Sequence, residues 1–283
     1  MNSLPQTTGK PVFSQSSLQD YLTCARLYQL RDVEHLSWPA VQSEPALEAE
    51  RHIQQGSDFH MLVRQFYLGI PVVVLTPMAA GDELSDWWQN FLNLTCKVPE
   101  LDPSRGEFKR YAEVTCIASF PLYRLEAKYD LVVIHPEGQA VIYDWKTVRK
   151  RPSRERLAGA MQTRIYPLVL ALAGWHLHQG EVIAPEQIEM QYRFMDDPAQ
   201  PERFSYGRAQ MTTDSRQIED IINEIRATPA DAFDKTADIN RCRFCLFRSY
   251  CDRGSTAGDF RDTVESESTP LEIDLDNLPE IEI

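Results

Sequence analysis

Two extended runs, LYRLEAKYDLVVI (122–134) and AVIYDWKTV (140–148), are separated only by HPEGQ, and no other stretch constrains the fold as tightly. Both are rich in β-branched and aromatic residues, the composition of strands. Pro136, Glu137 and Gly138 then form a three-residue hairpin loop. A hairpin centred on Glu137 pairs residues whose numbers sum to 274, so Asp130 and Asp144 are expected opposite one another. Side chains alternate at period two, which puts Lys146 on the face of Asp144 and turns Trp145 away. Two carboxylates and an ammonium converge. Opposed carboxylates repel unless a cation lies between them, and oxygen ligands suit Mg²⁺ or Mn²⁺. Without a cation the same residues are a salt-bridge triad on an exposed strand face, and Asp-x-Lys alone leaves that open.

The rest of the chain alternates around this hairpin. Residues 14–33 carry Leu18, Tyr21, Leu22 and Leu30 at helical spacing, with Ser14, Ser16 or Ser17 as N-cap. A second helix spans 44–68, and a third carries Trp87, Trp88, Phe91 and Leu92 before Pro99 and Pro103. FKRYAEVTCIASF, from Phe108, is a strand preceding the hairpin. A helix over 153–175 follows it, with Pro167 expected to kink it. In IEMQYRF, Ile188, Met190, Tyr192 and Phe194 alternate with polar residues, the pattern of a half-buried strand. Ile218, Ile221, Ile222 and Ile225 make one stripe on an amphipathic helix. The expected fold is α/β, a mixed sheet flanked by helices.

The 43% apolar and 25% charged content excludes global disorder and fibrous repeats. There is no 18-residue apolar run and no apolar segment near the N-terminus, so a cytoplasmic protein without membrane association is expected. A net charge of −13 argues at first against a nucleic-acid partner. Its distribution argues otherwise: residues 252–283 hold ten acids against two bases, and read as a disordered acidic tail. Between Lys146 and Arg164 lie seven bases against Glu155 alone. Arg149, Lys150, Arg151, Arg154 and Arg156 are the candidate DNA contacts in this run, which as composition alone is equally a solvated face. No Gly-x4-Gly-Lys-(Ser/Thr) occurs, so any ATP-driven helicase is a separate chain.

Cys242-x-x-Cys245-x5-Cys251 is a compact array of three ligands, and Cys24 lies in the first helical segment. In a cytosolic chain such clustering favours metal over disulfides. Four thiolates suit zinc or an iron–sulfur cluster, and spacing does not choose. Joining Cys24 to Cys242 closes a long loop and staples the N-terminal helices to the C-terminal turn. Arg241, Arg243, Arg248 and Arg253 interleave there with Phe244, Phe247 and Tyr250, a mixture suited to strand binding or to shielding a metal. Cys96 and Cys116 read as buried apolar residues.

Asp130 followed by Asp144-Trp145-Lys146 resembles the PD-(D/E)xK nuclease superfamily. Gly56-x-x-x-His60 before it and Gln162-x-x-x-Tyr166 after it resemble the RecB-like branch, in matching order. The resemblance implies a restriction-endonuclease-like core, divalent metal ligation by His60, Asp130 and Asp144, water activation by Lys146, and substrate contact or support from Gln162 and Tyr166. A lone N-terminal cysteine with a C-terminal Cys-x2-Cys-x5-Cys resembles AddB-type and CRISPR-adaptation nucleases, which implies a [4Fe–4S] cluster on Cys24, Cys242, Cys245 and Cys251. Glu107, Glu113 and Glu126 read as surface glutamates as readily as site acids.

The expected organisation is a flexible segment 1–12, a nuclease domain over 13–253 and the acidic tail 254–283. The expected function is metal-dependent hydrolysis of DNA phosphodiesters, as an exonuclease on single strands or ends in repair, recombination or defence. A partner helicase or adaptor is compatible with it. Two other classes stand beside it: a catalytically silent DNA-binding or adaptor module, and a zinc-stapled or electron-transfer protein whose strand carboxylates are incidental.

Overall fold

The computed structural model describes residues 9–36, 44–148, 150–243 and 245–254, with the side chains of 44–50 and of 82 outside the description. The expectations for residues 1–8, Arg149, Phe244 and the acidic residues 255–283 therefore lie outside the described residues.

One mixed six-stranded sheet organises the chain. Strand β1 (Val12–Phe13) precedes a helical part made of α1 (Gln15–Thr23), α2 (Ala25–Tyr28), α3 (Glu44–Tyr67), α4 (Val72–Leu75) and α5 (Asp82–Lys97). Strands β2 (Lys109–Ser119), β3 (Arg124–Ile134) and β4 (Ala140–Lys146) follow. Then come α6 (Arg154–Gly159), α7 (Met161–Ala173), β5 (Ile188–Phe194), β6 (Glu202–Ser205), α8 (Arg208–Ala227) and α9 (Ile239–Cys242). β3 pairs antiparallel with β2 and β4, and its first residues pair parallel with β1. β4 pairs parallel with β5, which pairs antiparallel with β6. A parallel pair needs a crossover, and α6 with α7 supply it, so α7 starts beside the end of β4.

The hairpin register is the expected one. Leu131 pairs with Tyr143 and Ile134 with Ala140, both on the sum of 274. Gly138, at φ 90°, takes the left-handed position of the turn, and its N–H donates to His135 O. α7, α8 and α1 cover one face of the sheet through Ile165, Leu168, Val169, Ile218, Ile222 and Leu18. α3 and α5 cover the other through Phe59, Leu62, Trp88 and Phe91.

β3 changes phase at Asp130. Ala127 and Tyr129 pack on the α7 side, and so do Val132 and Ile134, while Leu131 and Val133 pack on the α3 side. A regular strand keeps one parity throughout. β2 changes phase at the facing position with the register kept on either side: Tyr111 and Val114 lie on the α7 side and Ala112 on the α3 side. Glu113 between them has φ 50°, a left-handed conformation inside a strand.

Several local expectations change. The first helical segment breaks at Cys24, whose extended backbone (φ −165°, ψ 113°) ends α1; Ser14 caps its start through Ser17. The helix expected over 153–175 is two, because Ala160 is extended between α6 and α7. Pro167 lies inside α7 and does not end it. β5 is buried on both faces, since Gln191 and Arg193 are also covered. Arg193 is accommodated by Gln191 Oε1 (2.7 Å), Pro198 O (2.8 Å) and the Tyr143 ring. Among the described residues no helix is long and apolar enough to cross a membrane.

Candidate functional site

The β3–β4 ladder stops one rung before Asp130 and Asp144. Instead of bonding to an opposing backbone, Trp145 N–H donates to Asp130 Oδ2 at 2.8 Å. Asp130 Oδ1 lies 3.2 Å from His60 Nδ1, on α3. The two aspartates are thus answered separately: Asp144 turns to the α7 side, where Lys146 Nζ stands 3.1 Å from its Oδ2 and Gln162 Nε2 donates to its Oδ1. Lys146 Nζ also donates to Gln162 Oε1 at 3.0 Å. Asp144 and Gln162 are each only 4% exposed, so this ring of charge-assisted bonds is shielded from water. Tyr166, one turn on, is buried beside Tyr129, whose hydroxyl donates to its carbonyl at 2.9 Å.

His60, Glu113 and Asp130 bring ligand atoms within 4.8 Å of one another. Two carboxylates and an imidazole suit a hard or borderline divalent ion such as Mg²⁺ or Mn²⁺. The electrostatics fit that reading. Burial alone pulls His60 down, but the charge and hydrogen bond of Asp130, with Glu113 and Asp144 behind, lift it to about 9. Burial works to raise Asp130, yet His60, the Trp145 N–H and Lys146 hold it below the ordinary range. Glu113 is raised by burial and by Asp130. The pocket carries surplus negative charge and draws a proton where a cation fits.

Glu113, which the sequence left between a site acid and a surface glutamate, is the member of the cluster that the expected ligand set lacks. It faces Asp130 across the β2–β3 register, which was a usable signal, but an acid in a strand is ordinarily a surface residue. Its left-handed backbone could not be read from residue type. Gly56 gains a physical reason. A Cβ there would stand 2.8 Å from Thr147 Oγ1, so α3 reaches the end of β4 only because position 56 has no side chain.

The basic run is largely engaged. Arg151 and Arg154 both pair with Glu202, at 2.9 and 2.8 Å, and bond the carbonyls of Gln200 and Arg203. Their guanidinium groups lie over the Phe194 and Phe204 rings, at 4.6 and 4.5 Å. Arg156 N–H is bonded by the N-cap Ser153, and Lys150 is exposed. Arg151 and Arg154 thus tie the start of α6 to β6.

Cys24, Cys242, Cys245 and Cys251 line one pocket with Leu27, Leu30 and Phe247. Leaving the helix at Cys24 points the chain there: Thr236 N–H donates to Cys24 Sγ at 3.3 Å, and Arg241 donates to the carbonyls of Leu22 and Thr23 at the end of α1. Burial, with the neighbouring thiols, pushes Cys245 up to about 11 and raises Cys251. Such thiols ionise when a metal takes the proton's place.

The model of the PD-(D/E)XK nuclease superfamily matches residues 12–252. The chain belongs to this superfamily. A PD-(D/E)XK nuclease fold is what the mixed sheet flanked by helices corresponds to; the superfamily's nucleases use divalent metals, and the His60–Glu113–Asp130 cluster is one that could hold such an ion. A solved structure titled "Crystal structure of SSO0001" is similar at 14% identity, over 88% of this chain and 89% of that one, with a TM-score of 0.35. No curated protein matches.

Proposed function

We propose that this PD-(D/E)XK protein is a divalent-metal-dependent deoxyribonuclease of the RecB-like type, acting as an exonuclease on single strands or ends. The convergence of His60, Glu113 and Asp130 beside the Asp144–Lys146–Gln162 ring carries the reading. His60, Glu113 and Asp130 hold the ion, with Asp144 next to them. When bound, the ion supplies Lewis acidity toward a phosphoryl oxygen and lowers the pKa of water. Lys146 offers an ammonium to the attacking water and to charge developing on the phosphate. Gln162 keeps Lys146 and Asp144 in mutual register, and Tyr166 packs behind it.

The cysteine pocket is read as the seat of a [4Fe–4S] cluster. Four clustered thiolates take zinc or an iron–sulfur cluster, and the cluster reading is supported by the resemblance carried by Cys24 with Cys242-x2-Cys245-x5-Cys251, four residues that line one pocket. The cluster staples the two ends of the domain.

The test is Mn²⁺-dependent degradation of end-labelled single- and double-stranded DNA by protein purified without oxygen, beside Lys146→Ala. Degradation lost in the variant supports the nuclease, and the label reveals end preference. A cluster-loaded wild type that binds DNA without cutting it favours the silent module. A colourless, zinc-containing product that ignores DNA favours the zinc-stapled protein.

A further inference from the structure

Lys146 is held from a third side. Its Nζ lies over the ring of Tyr192, 5.4 Å from the centroid. Tyr192 is the β5 residue paired with Asp144, so period-two alternation puts its side chain beside those of Asp144 and Lys146. It is fully buried. Its hydroxyl lies 2.7 Å from Thr163 Oγ1, and Thr163 Oγ1 donates its single proton to Leu157 O. That leaves Tyr192 as the donor to Thr163. One phenol therefore anchors β5 to the first turn of α7, next to Gln162, and through Thr163 to the end of α6.

The ring continues the arrangement outward. Phe204 meets Tyr192 edge to face at 5.9 Å and 84°, and Arg154 lies over Phe204 at 4.5 Å. The face contact with Lys146 thus belongs to a packed group of rings and cations rather than to an isolated ring.

We propose that Tyr192 is a positioning residue for Lys146, and that the face of its ring, rather than its hydroxyl, does the positioning. The inference rests on the nuclease reading above and adds a residue to it. Asp144 Oδ2 and Gln162 Oε1 both meet the ammonium, and the Tyr192 face meets it from a further side. The ring holds the ammonium in place whichever way the Asp144 carboxylate turns. The ring carries no formal charge, so it fixes the ammonium without competing for the metal.

The test replaces Tyr192 with phenylalanine and with mono-, di- and trifluorinated phenylalanines, which keep nearly the same shape and withdraw charge stepwise from the ring face. The readouts are kcat and KM for Mn²⁺-dependent DNA cleavage, melting temperature and the Lys146→Ala baseline. Phenylalanine should retain most of kcat. Along the fluorinated series kcat should fall in steps to a total of about three- to thirtyfold, with KM and melting temperature nearly constant. A kcat that stays flat across the series, in a protein whose activity needs Lys146, overturns the inference and leaves the nuclease reading intact. A wild type without Lys146-dependent cleavage removes that reading and the inference with it.

Discussion

Asp130 Oδ2 accepts the Trp145 N–H at 2.8 Å, where the next rung of the β3–β4 ladder would otherwise fall. A side chain thus completes a backbone ladder, and the same carboxylate faces His60 with its other oxygen. Asp130→Asn should break the second relation and disturb the first, because one amide group cannot accept on both sides. DNA cleavage should fall about a hundredfold or more, with a melting temperature lower by a few degrees, read by gel assay and calorimetry.

Glu113 combines a metal ligand atom with a left-handed backbone. Glu113→Gly should relieve roughly 1 kcal/mol of backbone strain in the metal-free protein while removing the carboxylate. Mn²⁺ affinity measured by titration calorimetry should drop at least about tenfold, and metal-free stability should hold or rise. Loss of both together would show that Glu113 serves the sheet rather than the ion.

His60 sets a pH dependence. Its pKa is raised from the ordinary value near 6.5 to about 9, so its protonated pairing with Asp130 stabilises the metal-free fold fully below about 6.5. That contribution is lost as pH rises through about 9. Metal binding requires the neutral ring, so Mn²⁺ affinity should rise with pH, by up to about tenfold per unit below 9, with close to one proton released. His60→Ala should abolish both trends. Melting curves between pH 6 and 10, with and without Mn²⁺, read them.

Gly56 lets α3 reach Thr147. Gly56→Val should displace the helix and His60 with it, costing Mn²⁺ affinity more than stability, whereas Thr147→Ala should partly rescue Gly56→Ala by removing the obstructing hydroxyl. Restored Mn²⁺ binding in the double variant is the measurement.

Cys245→Ser should remove the visible absorbance of the anaerobically purified protein and lower its melting temperature by about 5–10 °C, as expected for opening a very long closed loop. Unchanged colour and stability would count against the cluster.

The hairpin register was legible because a loop of Pro, Glu and Gly fixes which residues face, and face alternation does the rest. IEMQYRF read correctly as a strand but wrongly as half-buried, because Arg193 on its polar face is covered by Gln191, Pro198 O and the Tyr143 ring, pairings that alternation of residue type does not announce. Cys24 read as helical because nothing local announces a break; the contacts that hold it extended come from residues 234–241. The basic run read as a surface for phosphate. Two of its arginines, Arg151 and Arg154, pair with Glu202, an acid on a four-residue strand too short to stand out. Glu113 is the plainest limit: a strained φ belongs to two strands that change phase together and to no residue type.

Synthesis and assembly run against each other in this protein. The strands bearing Asp130, Asp144 and Lys146 leave the ribosome well before Cys242, Cys245 and Cys251, yet α1 and α2 wait for the segment around those cysteines to complete their docking. A nascent chain halted before Cys242 would carry His60, Glu113, Asp130, Asp144 and Lys146 while lacking three of the four cysteines that line the pocket against α1 and α2.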